Sequence, residues 1–116
     1  MVTIYHNPRC SKSRQTLQLL QENLSDEQIE IVEYLKTALN KDALKALMSK
    51  LDCTARDIIR SSEADYKENN LADDSLSDEQ LLDAMVSMPK LMQRPIVVNG
   101  QKAAIGRPPE NVLDII

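Results

Sequence analysis

Two alternating apolar segments enclose a helical one at the start of the chain, and this order restricts the fold more than any other feature. Val2-Thr3-Ile4-Tyr5 and Ile29-Glu30-Ile31-Val32-Glu33-Tyr34 both repeat with period two, as strands do. Between them, Ser11 to Gln21 carries Thr16, Leu17, Leu19 and Leu20 at helical spacing. A β-α-β unit of this kind favours parallel pairing with a right-handed crossover. The end of the chain has another character. Arg94-Pro95 precedes the apolar run Ile96-Val97-Val98, then Asn99-Gly100, then Gln101 to Ile105. Asn-Gly between two apolar runs is a strong hairpin signal. Gly106-Arg107-Pro108-Pro109 reads as a loop, and Glu110 to Ile116 as a short closing helix with proline near its first turn.

The middle of the chain is helical. Asn40 is placed to cap a helix through Leu44, Leu47, Met48 and Leu51, and Thr54 a shorter one through Ile58 and Ile59. Ser77-Asp78-Glu79-Gln80 matches a capping box, and Leu81, Leu82, Met85 and Val86 continue an apolar face towards Pro89. The sum is β-α-β, then helices, then β-β-α. We therefore expect a single α/β domain over residues 1–116 with a thioredoxin-like three-layer fold: a four-stranded mixed sheet with a helical insertion at about 40–90. In that fold a proline directly before a late strand, facing a helix-start cysteine, carries a cis peptide bond, which assigns one to Pro95.

Composition narrows the function. With no Phe, no Trp and three Tyr, the core is built from Leu, Ile, Val, Met and Ala. The formal net charge of −4 has the wrong sign for a nucleic-acid binder. No segment has the length and apolarity of a membrane span. Met1 runs directly into strand-like sequence without a basic region or apolar leader, so a cytoplasmic location is expected. In that compartment a stable Cys10–Cys53 disulfide is not the default.

Cys10 carries the chemistry. It lies where the first strand turns into the first helix, so unpaired backbone N–H groups and the positive end of the helix dipole converge near its sulfur. Both favour thiolate, the nucleophilic form. Arg9, Lys12 and Arg14 flank it, and Arg94 and Arg107 lie in the C-terminal part. Arginines gathered near a cysteine in an acidic chain suggest a local anion site, while scattered solvated charge is the plainer alternative. Cys53, just before a helix cap, reads as an inert thiol, with a resolving role as the alternative. His6, the only histidine, is either structural or a tuner of Cys10; no second ligand stands at metal-binding spacing. Cys10-Ser11-Lys12-Ser13 has the spacing of a redox CxxC with serine in the second place, so a local dithiol is impossible.

The segment Tyr5-His6-Asn7-Pro8-Arg9-Cys10-Ser11-Lys12-Ser13-Arg14-Gln15-Thr16 resembles the active-site segment of the ArsC family, the glutaredoxin-coupled arsenate reductases. Ile58-Ile59-Arg60, Arg94-Pro95-Ile96-Val97-Val98 and Gly106-Arg107-Pro108 resemble the family's three arginine segments, in the same order along nearly the whole chain. The resemblance implies that Cys10 is the nucleophile and that Arg60, Arg94 and Arg107 bind the oxyanion. His6 would then influence the sulfur, with Ser13 and Pro95 in support. It further implies no bound cofactor or metal, glutathione as co-substrate, glutaredoxin as reductant, and neither nucleic acid nor membrane as partner. Two other readings stay open. Spx-type regulators share the fold and bind RNA polymerase, but they usually carry CxxC and lack the full arginine set. A general glutathione-dependent oxidoreductase would need no oxyanion site and would be favoured if the arginines did not converge on Cys10.

Overall fold

The computed structural model describes residues 1–37 and 39–116. The chain forms two compact units: Met1–Thr37 with Arg94–Ile116, and Ala38–Gln93. The first contains the sheet: β1 (Val2–His6), α1 (Ser11–Asn23), β2 (Ile29–Glu33), β3 (Ile96–Asn99) and β4 (Lys102–Ile105). The strand order is β2-β1-β3-β4. β1 pairs parallel with β2, from Val2 opposite Ile29 to His6 opposite Glu33, and antiparallel with β3, with Ile4 opposite Val97. This is the four-stranded mixed sheet of a thioredoxin-like fold. The parallel pair is the one joined by α1, as a β-α-β connection requires.

β1 buries every second residue, Val2, Ile4 and His6. Val2 and Ile4 form an apolar core with Leu20 of α1, Val97 of β3 and Val112, edged by Leu17, Leu24 and Ile29. The strand's period of two thus puts His6 on the same face as the core, at the end where the chain turns toward Cys10.

The hairpin differs from expectation by one residue. Asn99 still pairs with Lys102, so the turn is Gly100-Gln101 rather than Asn99-Gly100. Gly100 has φ +64°, which suits a two-residue connection with glycine in its first place. Asn99 is retained in the strand while its side chain donates to the Ile115 carbonyl (2.6 Å). The closing segment, Pro109–Asp114, is 3₁₀ rather than α-helical, with bonds such as Asn111 N–H to the Pro108 carbonyl (3.1 Å). Six residues opened by two prolines make a tight turn more naturally than a regular helix. The Arg94-Pro95 peptide is cis, and so is Arg107-Pro108, for which the sequence carried no signal.

The second unit holds α2 (Lys41–Leu51), α3 (Ala55–Ile58), α4 (Ala64–Glu68) and α5 (Asp78–Ser87). The expected caps form. Asn40 Oδ1 accepts from Ala43 N–H (2.8 Å), Thr54 N–H donates to Asp57 Oδ2 (2.9 Å), and Ser77 N–H donates to Gln80 Oε1 (2.8 Å). Leu44, Leu47, Ile58, Leu81, Leu82, Met85 and Leu91 are buried. Lys41 bridges Glu79 and Asp83 of α5 (2.5 and 2.9 Å), and Lys45 adds a bond to Glu79 (2.7 Å). Among the described residues no helix is long and apolar enough to cross a membrane.

Gly106 joins sheet and helix at close quarters. Its N–H donates to the Pro95 carbonyl (2.9 Å), and a Cβ there would meet Thr16 Oγ1 at 2.5 Å and Pro95 Cγ at 2.8 Å. Thr16 has no slack, being fully buried and bonded to the Lys12 carbonyl (2.8 Å). Gly106→Ala should therefore destabilise the fold by about 1–3 kcal/mol in urea denaturation. Adding Thr16→Ala should recover part of that loss, a non-additive pair. A neutral Gly106→Ala would show that the contact relaxes freely.

Candidate functional site

β1 delivers the chain to the turn 7–10, and α1 begins directly behind it. Cys10 is the N-cap of α1: its backbone is extended (φ −96°, ψ 124°) and its carbonyl accepts from Arg14 N–H (3.0 Å). Cys10 N–H donates back to the Asn7 carbonyl (3.0 Å), closing the turn. A side chain in this position usually caps the helix through an oxygen. Here it is a sulfur, facing the N–H groups of Ser13 and Lys12. α1 has no acidic residue in its first turn to compete for those donors.

Cys10 is 8% exposed, buried among its neighbours without being fully sealed. Burial pushes the Cys10 thiol up, and the N–H of Ser13, the Arg94 guanidinium, the N–H of Lys12 and the Arg107 guanidinium pull it down. The four together outweigh burial, so the thiol is held below its ordinary value and thiolate is favoured. Cys53 shows the opposite balance. Burial pushes its thiol up, and Asp57, Asp52 and Asp78 push it further. It is a free thiol.

Arg107 and Arg94 reach Cys10 from the far end of the chain. Arg107 Nη2 lies 3.6 Å from Cys10 Sγ, and Arg107 Nε donates to the Arg94 carbonyl (2.8 Å). One arginine's backbone thus fixes the other's fork. Arg94 Nε is buried and has no hydrogen-bond partner among the described residues. A buried N–H left unsatisfied costs about 1–3 kcal/mol. Arg60 belongs to the second unit. Its N–H donates to the Leu91 carbonyl (2.7 Å) beside the Ile59–Met92 bridge, and its guanidinium pairs with Glu63 (2.8 Å).

His6 acts on the site through Ser13. Its Nδ1 lies 2.6 Å from Ser13 Oγ, and the same oxygen accepts from Asn7 N–H (3.0 Å). Burial holds the imidazole below its usual pKa; Glu33 opposes this and Arg14 adds to it. The ring is therefore neutral near pH 7, and Ser13 Oγ, which takes the Asn7 N–H on one lone pair, has its proton to offer to Nδ1. Both His6 and Ser13 are buried. They tie the strand end, the turn and the first helical turn together beneath the sulfur. No direct His6–sulfur bond is needed for this role.

Three contributors were not singled out from sequence. Asn7 closes the turn through its carbonyl and its N–H, and Thr16 and Gly106 set how closely the Arg107 loop approaches α1. A signal for the last existed: the chain has only two glycines, one in the hairpin and one immediately before Arg107. Among the described residues no group of three or more His, Cys, Asp or Glu is placed to hold a metal ion.

The chain is 56% identical to YfgD, an uncharacterized protein of Escherichia coli K12, with 99% of this chain and 96% of that one covered. It is 43% identical to an arsenate reductase of Haemophilus influenzae, covering 99% and 98%. An arsenate reductase structure from Vibrio cholerae superposes with a TM-score of 0.93 at 46% identity, covering 99% of this chain and 97% of that one. The ArsC family model matches residues 5–115, and the chain belongs to the ArsC family.

Proposed function

We propose that the protein is an arsenate reductase that uses glutathione and glutaredoxin as reductants. The observation that carries this reading is the juxtaposition of the Cys10 sulfur, Arg107 Nη2 at 3.6 Å, and the buried, unpartnered Nε–H of Arg94. An oxyanion supplies the acceptor that Arg94 lacks, and planar, permanently charged forks suit its paired oxygens. The N-terminus of α1 adds backbone donors. Arg60 is given the third arginine's part by the family resemblance alone. The reductase names of relatives at 43% and 46% identity support the same substrate.

In this mechanism the Cys10 thiolate attacks arsenic and an arsenate oxygen leaves as water after protonation, forming a sulfur–arsenic bond. The guanidinium groups and helix N–H donors stabilise the charge that develops on the remaining oxygens, in place before the reaction begins. The thiolate of glutathione then attacks Cys10 Sγ. A disulfide forms, the sulfur–arsenic bond breaks, and its electron pair stays on arsenic, which leaves as arsenite. Two sulfurs are oxidised and arsenic(V) becomes arsenic(III). A glutaredoxin thiolate attacks the glutathionyl sulfur and releases Cys10 as thiolate. Ser13, standing where a dithiol enzyme has its second cysteine, rules out a local dithiol and leaves regeneration to an external thiol, with Cys53 as the alternative. His6 keeps the turn in register, and Pro95, buried beside Gly106, supports the Arg94 loop.

Arsenite formation from arsenate with glutathione and glutaredoxin tests the reading. The native protein should turn over, Cys10→Ser should fall to background, and Arg94→Ala should lose about 10² in kcat/KM. A native protein that forms no arsenite would overturn it. Thiol reactivity gives a separate check. Iodoacetamide should alkylate Cys10 with a pH midpoint below the ~8.5 of an ordinary thiol, whereas Cys53 should require more alkaline solution. Replacing Arg107 by Gln removes a cation that favours thiolate, so the Cys10 midpoint should rise. An unshifted midpoint would mean that the guanidinium does not act on the sulfur.

A further inference from the structure

The first unit contains a cleft of about 360 Å³ beside the catalytic turn, unused by the oxyanion chemistry above. It is lined by His6, Asn7, Pro8 and Arg9, the residues leading into Cys10, and by Glu33, Leu35 and Lys36 at and just beyond the end of β2. Its volume lies within the range of small-molecule sites. We infer that this cleft seats the tripeptide of glutathione; the inference rests on the proposed reductase reading and adds the place where its co-substrate binds.

The match between cleft and ligand is one of charge order. Glutathione has an amino-acid head carrying an ammonium and a carboxylate side by side, a central thiol, and a single carboxylate at the glycyl end. The cleft presents the complement. Glu33 and Lys36 stand side by side, with Oε1 and Nζ 3.6 Å apart, and match the head's ammonium and carboxylate. Arg9, exposed and immediately before Cys10, takes the glycyl carboxylate. Leu35 is 38% exposed and offers apolar surface to the methylenes of the γ-glutamyl arm. The existing Glu33–Lys36 pair is largely solvated (Lys36 is 78% exposed), so exchanging it for ligand contacts costs little. A simple monothiol such as mercaptoethanol has neither end group and gains nothing from this arrangement.

The probe is S-methylglutathione, which cannot form a disulfide, so binding is read without turnover. In NMR titration the amides of Asn7, Arg9, Glu33, Leu35 and Lys36 should shift saturably. The combined Arg9→Gln, Lys36→Glu variant should bind about tenfold more weakly. The dimethyl ester of the probe, lacking both carboxylates, should show a similar loss on the native protein. Shifts that map elsewhere, no saturation at millimolar probe, or full affinity in the double variant would overturn the assignment. The two readings fail separately. Arsenite formation with no cleft binding refutes the cleft alone, and cleft binding without arsenite formation refutes the reductase reading alone.

Discussion

A thiolate and a tetrahedral anion repel each other, and the first unit holds positive charge and backbone donors beside a sulfur that burial alone would keep protonated. The sulfur of Cys10 lies over the first turn of α1, against the N–H groups of Ser13 and Lys12, with Arg94 and Arg107 beside it. Each of these contributions alone is modest. A helix terminus contributes roughly 0.3–1 kcal/mol at an exposed site, and more where solvent is partly excluded. Their effect depends on being fixed together next to a residue that is only 8% exposed, where water screens little. If burial acted alone, the thiol would stay protonated and unreactive.

That arrangement depends on contacts of little apparent chemical interest. β1 supplies a rigid approach because its alternate residues are locked into the core. The buried Ser13 and His6 hold the turn from below. On the other side, Gly106 lets the Arg107 loop lie against Thr16 and Pro95 at distances that no Cβ would tolerate. The Arg94 carbonyl then holds Arg107 Nε. A glycine with no chemistry of its own thus governs where a guanidinium stands. Arg94 Nε stays unpaired within this frame, a cost that a bound oxyanion would relieve.

Much of this was legible in the sequence because it is written locally. Period-two strands, the Asn40, Thr54 and Ser77 caps, and the proline ahead of β3 are short-range signals, and β1, β2, β3, α2 and α5 follow them. The exceptions involve distant partners. Asn99 stays in β3 while its side chain reaches the Ile115 carbonyl, which displaces the turn to Gly100-Gln101. α4 has no buried residue, so no apolar period announces it. The approach of Arg94 and Arg107 to Cys10 could be inferred only through the fold. The anchoring of one by the other's carbonyl and the His6–Ser13–Asn7 linkage leave no trace in residue order. Arg60's part is read from the family resemblance.

The central claim is that fixed donors around Cys10 wait for an oxyanion. The most direct test is to follow the Arg94 and Arg107 side-chain N–H resonances, with the Lys12 and Ser13 amides, as arsenate is added to Cys10→Ser protein that cannot react. Binding of the anion into the donor set should move all four sets of signals together and saturably, with the Arg94 Nε–H moving towards the position of a strong hydrogen bond. An Arg94 Nε–H that stays in place while arsenate binds elsewhere, or does not bind, would contradict the account.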